Sequence, residues 1–428
     1  MQQPQPAAPF SGYQKFVIFI LAITQFTVIL DFMVMSPLGD KLMKSIGMAP
    51  NEFGIAVSAY AFSAGISGLL TAGFADKFDR KKLLLFFYTG FIIGTLFCGL
   101  VNSYEALVAA RIFTGLFGGV IGSISMAIVA DIFGLQQRGR VMGFLQMGFG
   151  ASQILGIPIG LYIANIWGWH APFLWIVGMA AIIALLILLK LNPVNAHLKL
   201  KQDKSPLLHL WHTISKGDYR IGFTATALLS IGGFMMMPFG SAFAINNLKV
   251  TEMQLPQIYI VAGIFTLVCM PLMGKLSDKF NKFRIFTIAC FWTMGVIIAY
   301  THLAATPLWI IILLNVLMMV GITGRMVPST ALVTGVPDAK DRGAFMSINS
   351  SLQQIAGGIG AWIGGLIIVQ KSTTSPLEHY DIIGYIVAAI TLLSIFLMYR
   401  VYKMVQRKVA NQNPLKVDIA EEIHLTEM

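Results

Sequence analysis

Long apolar runs separated by short polar punctuation repeat along the whole chain, and their length sets the first expectation. Twelve runs of about 18 to 28 residues recur, the span an α-helix needs to cross about 30 Å of hydrocarbon at 1.5 Å per residue. In the first half they cover 15–37, 53–75, 83–101, 106–131, 140–165 and 171–191. In the second they cover 220–246, 255–276, 284–302, 307–334, 343–369 and 381–403. Ten-residue alternating strands, the mark of a membrane barrel, do not appear. The expected fold class is an all-α polytopic membrane protein with twelve transmembrane helices in two pseudo-symmetric six-helix halves. Its parts are a disordered tail (1–14), a first half (15–191), a cytoplasmic central loop (192–219), a second half (220–403) and a cytoplasmic tail (404–428).

Composition agrees, since 56% of the residues are hydrophobic and 11% charged, whereas soluble domains carry about 25% charged residues. Mean hydropathy is +0.75. Cys98, Cys269 and Cys290 all lie inside apolar runs and read as small buried hydrophobes; no disulfide framework, metal or cofactor is expected. The N-terminus lacks a basic stretch and a cleavage site, so the first run is an uncleaved span.

A net charge of +11 raises the question of nucleic acid until its placement is considered. With the N-terminus inside, one side collects Lys77, Arg80, Lys81, Lys82, Arg138, Arg140, the lysines of 192–219, Lys275 to Arg284, Arg342 and the tail after Arg400. The other side keeps Lys41, Lys44, Lys249 and Lys371. Cytoplasmic loops hold the positive charge, so both termini are expected in the cytoplasm, the protein multi-pass in the inner (plasma) membrane, and no nucleic-acid partner is implied.

The charged punctuation repeats. Gly73, Asp76, Arg80 and Lys81 return about two hundred residues later as Gly274, Asp278 and Lys282. Arg138-Gly139 with Met142, Gly156 and Gly160 matches Arg342-Gly343 with Met346, Gly360 and Gly364, at an offset of 342 − 138 = 204. Two halves of one orientation, related by an axis along the membrane normal, place a cavity between them near the midplane.

These paired charged segments, with the six-plus-six count and the long central connection, resemble the major facilitator superfamily over essentially the whole chain. The second copy keeps Gly274, Leu276 and Asp278 of the family's loop pattern; the first has Ala72 at the glycine position, Gly73 one place late, and Asp79 where a second glycine belongs. Arg111 followed by Gly115 resembles the family's fourth-helix pattern. Gly156-Ile157-Pro158-Ile159-Gly160 loosely resembles its fifth-helix antiporter signature. The resemblance implies a secondary transporter, similar to proton-coupled drug and sugar efflux members, acting on a small-molecule solute with protons and the lipid bilayer as partners, as a monomer. A proton-coupled importer of a small organic anion is the alternative.

Asp31 is the acid well inside an apolar run, where a carboxylate needs a partner, water or a proton. It is either a proton-coupling or binding group, or an acid lining a wet vestibule. Arg111 lies at the same depth: each is about six residues, roughly 9 Å, from the outer end of its run. The two form either a proton switch or a static bridge. Arg325 is the deep cation of the second half, available for an anionic solute group or for carbonyls freed around Pro328, Gly321 and Gly324. Further cavity candidates are Met33, Tyr60, Gln146, Gln153, Met237, Asn315, Asn349, Gln353 and Gln354. Gly73, Asp76, Arg80, Lys81, Asp131, Gly274, Asp278 and Lys282 form the expected cytoplasmic gate. An enzyme would need a nucleophile, metal cluster or paired acids at one depth, and a sensor a large soluble domain; the sequence offers neither.

Overall fold

Each apolar run becomes a helix whose ends are set by local chemistry. The computed structural model describes residues 9–71, 74–195, 198, 206–338 and 341–412. Gly73, and the side chains of Asp76 and Gln146, lie outside the described residues, as does most of both tails.

The first half runs through α1 (Gly12–Val34), a short α2 (Gly39–Ile46), α3 (Pro50–Thr71), α4 (Arg80–Cys98) and α5 (Tyr104–Ile132). Its fifth span is α6 (Leu135–Ala151), a π-helical turn (Ser152–Gly156) and α7 (Ile157–Trp167), followed by α8 (Ala171–Lys190). After α9 (Pro206–Ser215), the second half opens with α10 (Gly217–Met236), continued through a 3-10 turn at Pro238 by α11 (Gly240–Asn246). It ends with α12 (Leu255–Lys279), α13 (Lys282–Thr301), α14 (Leu308–Thr334), α15 (Arg342–Ile367) and α16 (Tyr380–Gln412).

Among the described residues, ten helices are long and apolar enough to cross a membrane. The broken α6–α7 span and α15, diluted by the polar stretch Ser347 to Gln354, complete the twelve.

Three expectations are corrected. The connection at 192–219 is not all loop: Pro206–Ser215 forms α9, and α10 already begins at Gly217. Gly274 and Asp278 lie in the last turns of α12 rather than in a loop, because the helix is not broken until Phe280, whose N–H bonds to Leu276 O at 2.8 Å. Third, α14 passes through Pro328 unbroken. Gly321 and Gly324 serve packing there: a Cβ at Gly324 would meet Ala289 Cβ at 3.0 Å, and one at Gly321 would strike Thr293 of α13.

The charged repeat explains its own departure from pattern. Asp79 accepts from Lys82 N and caps α4, and Asn281, 202 residues later, caps α13 by accepting from Phe283 N and Arg284 N. A short polar side chain at that position satisfies orphan amide groups, which glycine cannot do.

The halves meet along two helix pairs. α3 packs on α15 through close approaches of Gly54 to Gly365, Gly65 to Ile355 and Gly68 to Ser351. The π turn packs on α12, where Gly263 faces Ile154.

Candidate functional site

Small residues bring the deep charges together. On α5, Gly115, Gly118 and Gly119 leave no room for a Cβ against Tyr60, Ser63 and Ala64, so α3 lies directly on that face. One helical turn back, Arg111 reaches α1. Its Nη1 donates to Asp31 Oδ2 at 2.8 Å, and both residues are 0% exposed. Thr95 of α4 donates to Asp31 Oδ1 at 3.2 Å, and the Tyr60 ring lies beneath the guanidinium, 4.4 Å from Cζ. Arg111 Nε and Nη2 are buried without hydrogen bonds. The carboxylate thus depends on a single hydroxyl and a single arginine, and the arginine has unused donors.

An aromatic chain leads from this pair to the other half. Phe32, next to Asp31, stands 5.2 Å from Tyr60 and 5.6 Å from Phe234 of α10. Tyr60, expected in a cavity wall, instead belongs to the buried pair at 2% exposure, and Met33 at 6% is core. Met237 opens the 3-10 turn, and Asn315 donates to Ile311 O at 3.0 Å. Gln153 lies in the π turn, half-buried; Gln354 is half-buried and Gln353 exposed. Asn349 is buried with Oδ1 unbonded, and Arg325 is buried on α14.

At the end of the bundle bearing the termini, four contacts of the expected gate residues lie within one half. Arg80 Nε lies 3.4 Å from Asp131 Oδ2, and Arg80 Nη1 donates to Ala75 O at 3.0 Å. Lys81 donates to Leu188 O at 2.9 Å, Lys282 donates to Ser277 O at 2.9 Å, and Asp278 is exposed.

The opposite end carries polar contacts between halves that the sequence did not single out. Ser36 donates to Met237 O, and Ser241 donates back to Ser36 O at 2.8 Å. Asp40, 2% exposed, accepts from Asn246 at 2.6 Å and from Lys44 at 2.8 Å. Lys41 pairs with Glu252 at 2.6 Å, and Asn165 donates to Glu252 O at 3.0 Å. The available signal was the repeat itself: Ser36 to Ser241 is 205 residues and Asp40 to Asn246 is 206, close to the offset relating the halves. Equivalent helix ends meet at the pseudo-axis.

A family model described as Major Facilitator Superfamily matches residues 21–327 and 222–424. An uncharacterised MFS-type transporter of Bacillus subtilis is 24% identical over 380 residues, covering 89% of this chain and 95% of the relative. A probable sugar efflux transporter of Helicobacter pylori (strain P12) is 26% identical over 395 residues, covering 90% and 95%. Among solved structures, an inward-facing, unoccupied bacterial homologue of the human lysosomal transporter Spinster superposes with TM-score 0.74 at 15% identity, over 93% of this chain and 99% of that one. The nucleoside transporter NupG superposes at 0.71 and 14% identity, over 90% and 99%. Twelve helices in two like halves, and a family match over most of the chain, lead to one conclusion: the chain belongs to the Major Facilitator Superfamily and is a membrane transporter, not an enzyme.

Proposed function

We propose that the chain exports a small organic solute across the inner membrane in exchange for protons, by rocking its halves about a central site. The observation that carries this reading is the fully buried Asp31–Arg111 pair at 2.8 Å. A proton on Asp31 removes the counter-charge of Arg111 and leaves a buried cation to find another partner, so occupancy by a proton and the packing of α1 on α5 are linked. Phe32 and its contact with Phe234 carry a shift of α1 toward the second half. The name of the Helicobacter relatives supports the export direction.

In the alternating cycle, the contacts of Ser36, Asp40 and Lys41 with the second half hold the outer end closed. When they part, Gly73, Asp76, Arg80, Lys81 and Asp131 close against Gly274, Asp278 and Lys282 at the cytoplasmic end. The basic clusters at the termini-bearing end support a cytoplasmic location for both termini. The protein acts as a monomer.

A second reading, proton-coupled import of a small organic anion, is favoured by the buried Arg325. Flux of a sugar and organic-acid panel in reconstituted vesicles separates the two by direction. Asp31→Asn is expected to lose pH-gradient-driven flux while keeping solute counterflow; full gradient-driven flux in the variant would refute proton coupling at Asp31.

A further inference from the structure

The connection between the halves holds a helix with an exposed apolar stripe. On α9, Leu210 and Thr213 are buried, Leu210 in a cluster with Tyr219 and Phe223 of α10 and Phe345 of α15. Trp211 and Ile214, three residues apart and so neighbours on the helix surface, are exposed instead, Trp211 at 71%. An indole beside an aliphatic side chain suits a surface that is half apolar and half wet.

Position fixes which surface that is. α9 ends at Ser215 and the spanning α10 begins at Gly217, so a single residue, Lys216, separates them. At the opposite boundary, exposed tryptophans stand at span ends: Trp167 closes α7 and Trp309 is second in α14. Trp211 occupies the corresponding level at the termini-bearing end. Charge complements lipid phosphate there. From 199 to 220 the chain carries Lys199, Lys201, Lys204, Lys216 and Arg220 against Asp203 and Asp218. Arg220 is exposed, and its guanidinium has no hydrogen bond or ion pair among the described residues.

We propose that α9 and the start of α10 form an anionic-lipid site, with Trp211 and Ile214 seated among the headgroups of the leaflet on the termini-bearing side and Arg220 on a lipid phosphate. Lys216 donates to Asp341 Oδ2 at 2.5 Å, and Asp341 immediately precedes α15, which packs on α3 of the other half. The leaflet's hold on α9 therefore reaches a helix on which the halves meet. The site is independent of proton coupling at Asp31 and of the direction of transport.

The test uses the full-length protein in phosphatidylcholine nanodiscs. Cys269→Ala leaves only the buried Cys98 and Cys290, and Ile214→Cys carries an environment-sensitive fluorophore. Phosphatidylglycerol or phosphatidylcholine brominated near the headgroup, at one mole fraction, serves as quencher. Phosphatidylglycerol is expected to quench better by about fivefold at low salt, the effect of one basic residue at an anionic surface. That preference should weaken as salt rises. Arg220→Gln should bring the ratio near unity, and Arg220→Lys should keep most of it, which separates charge from packing. Removing 413–428, whose Asp418, Glu421, Glu422 and Glu427 match the same basic face, should leave the ratio unchanged. The proposal is overturned by equal quenching from the two lipids or by a preference that survives Arg220→Gln. It is also overturned by quenching that appears only after that truncation, or only in discs holding a single copy, which would make the chain's own tail or a second copy the occupant.

Discussion

Asp31 and Arg111 are stable inside the bundle only in each other's company. Removing one partner of a buried pair leaves a charge with neither water nor a counter-ion, a loss of about 3–5 kcal/mol. Arg111→Ala should therefore lower the unfolding midpoint sharply, and Asp31→Asn/Arg111→Gln, which replaces both charges by amides, should recover most of it. A midpoint for Arg111→Ala equal to wild type would show that the pair contributes no stability. Their meeting was legible beforehand because helix rise is constant: equal residue counts from equivalent run ends give equal depth. Thr95 and the ring of Tyr60 were not legible, since which helix faces which is decided by packing. The Tyr60 position follows from Gly115, whose missing side chain lets α3 come close enough to place the ring under Arg111.

At the scale of elements, run boundaries held to within a few residues, because the transition from apolar to charged sequence coincides with caps such as Ser11, Asp79 and Asn281. Departures arose where backbone geometry responds to neighbours. The π turn at Ser152–Gly156 sits where Gly156 meets Leu30 of α1, and Ser152 donates to Phe26 O at 3.1 Å. The last helix also outruns its apolar stretch, reaching Gln412, with Lys408 Nζ 2.8 Å from Asp338 Oδ1 and 2.6 Å from Val336 O. The Lys408 hydrogen bond holds the Asp338 carboxyl below its ordinary 3.8. A depressed carboxyl stabilises the folded form fully above its unfolded value and loses that contribution as pH falls through the folded one. The end of α16 should stay docked at neutral pH and fray only in acid below about 3.8. Backbone hydrogen exchange at 401–408 at pH 3 and pH 7, corrected for intrinsic rates, reads this directly; equal protection at both would remove Asp338 as the tie.

For the whole molecule, a set of polar ties joins the halves at the end away from the termini. Lys41 and Glu252, partly exposed and 2.6 Å apart across the halves, are suited to a clamp. In a Cys269→Ala background, Lys41→Cys/Glu252→Cys joined by a short bifunctional thiosulfonate should stop solute flux, and reduction should restore it. Undiminished flux in the linked protein would mean that this end need not open. By itself the sequence determined the helices, their number, the duplication and the matching depth of Asp31 and Arg111, because hydrocarbon thickness and helix rise leave little freedom. Tertiary structure alone decided which polar groups are mated. Asp31 found Arg111 and Thr95, and Asp40 found Asn246 in the other half, while Arg325 has no hydrogen bond or ion pair among the described residues. Such pairing depends on helix rotation and close approach, which glycines and bulges set through neighbours far away in the chain.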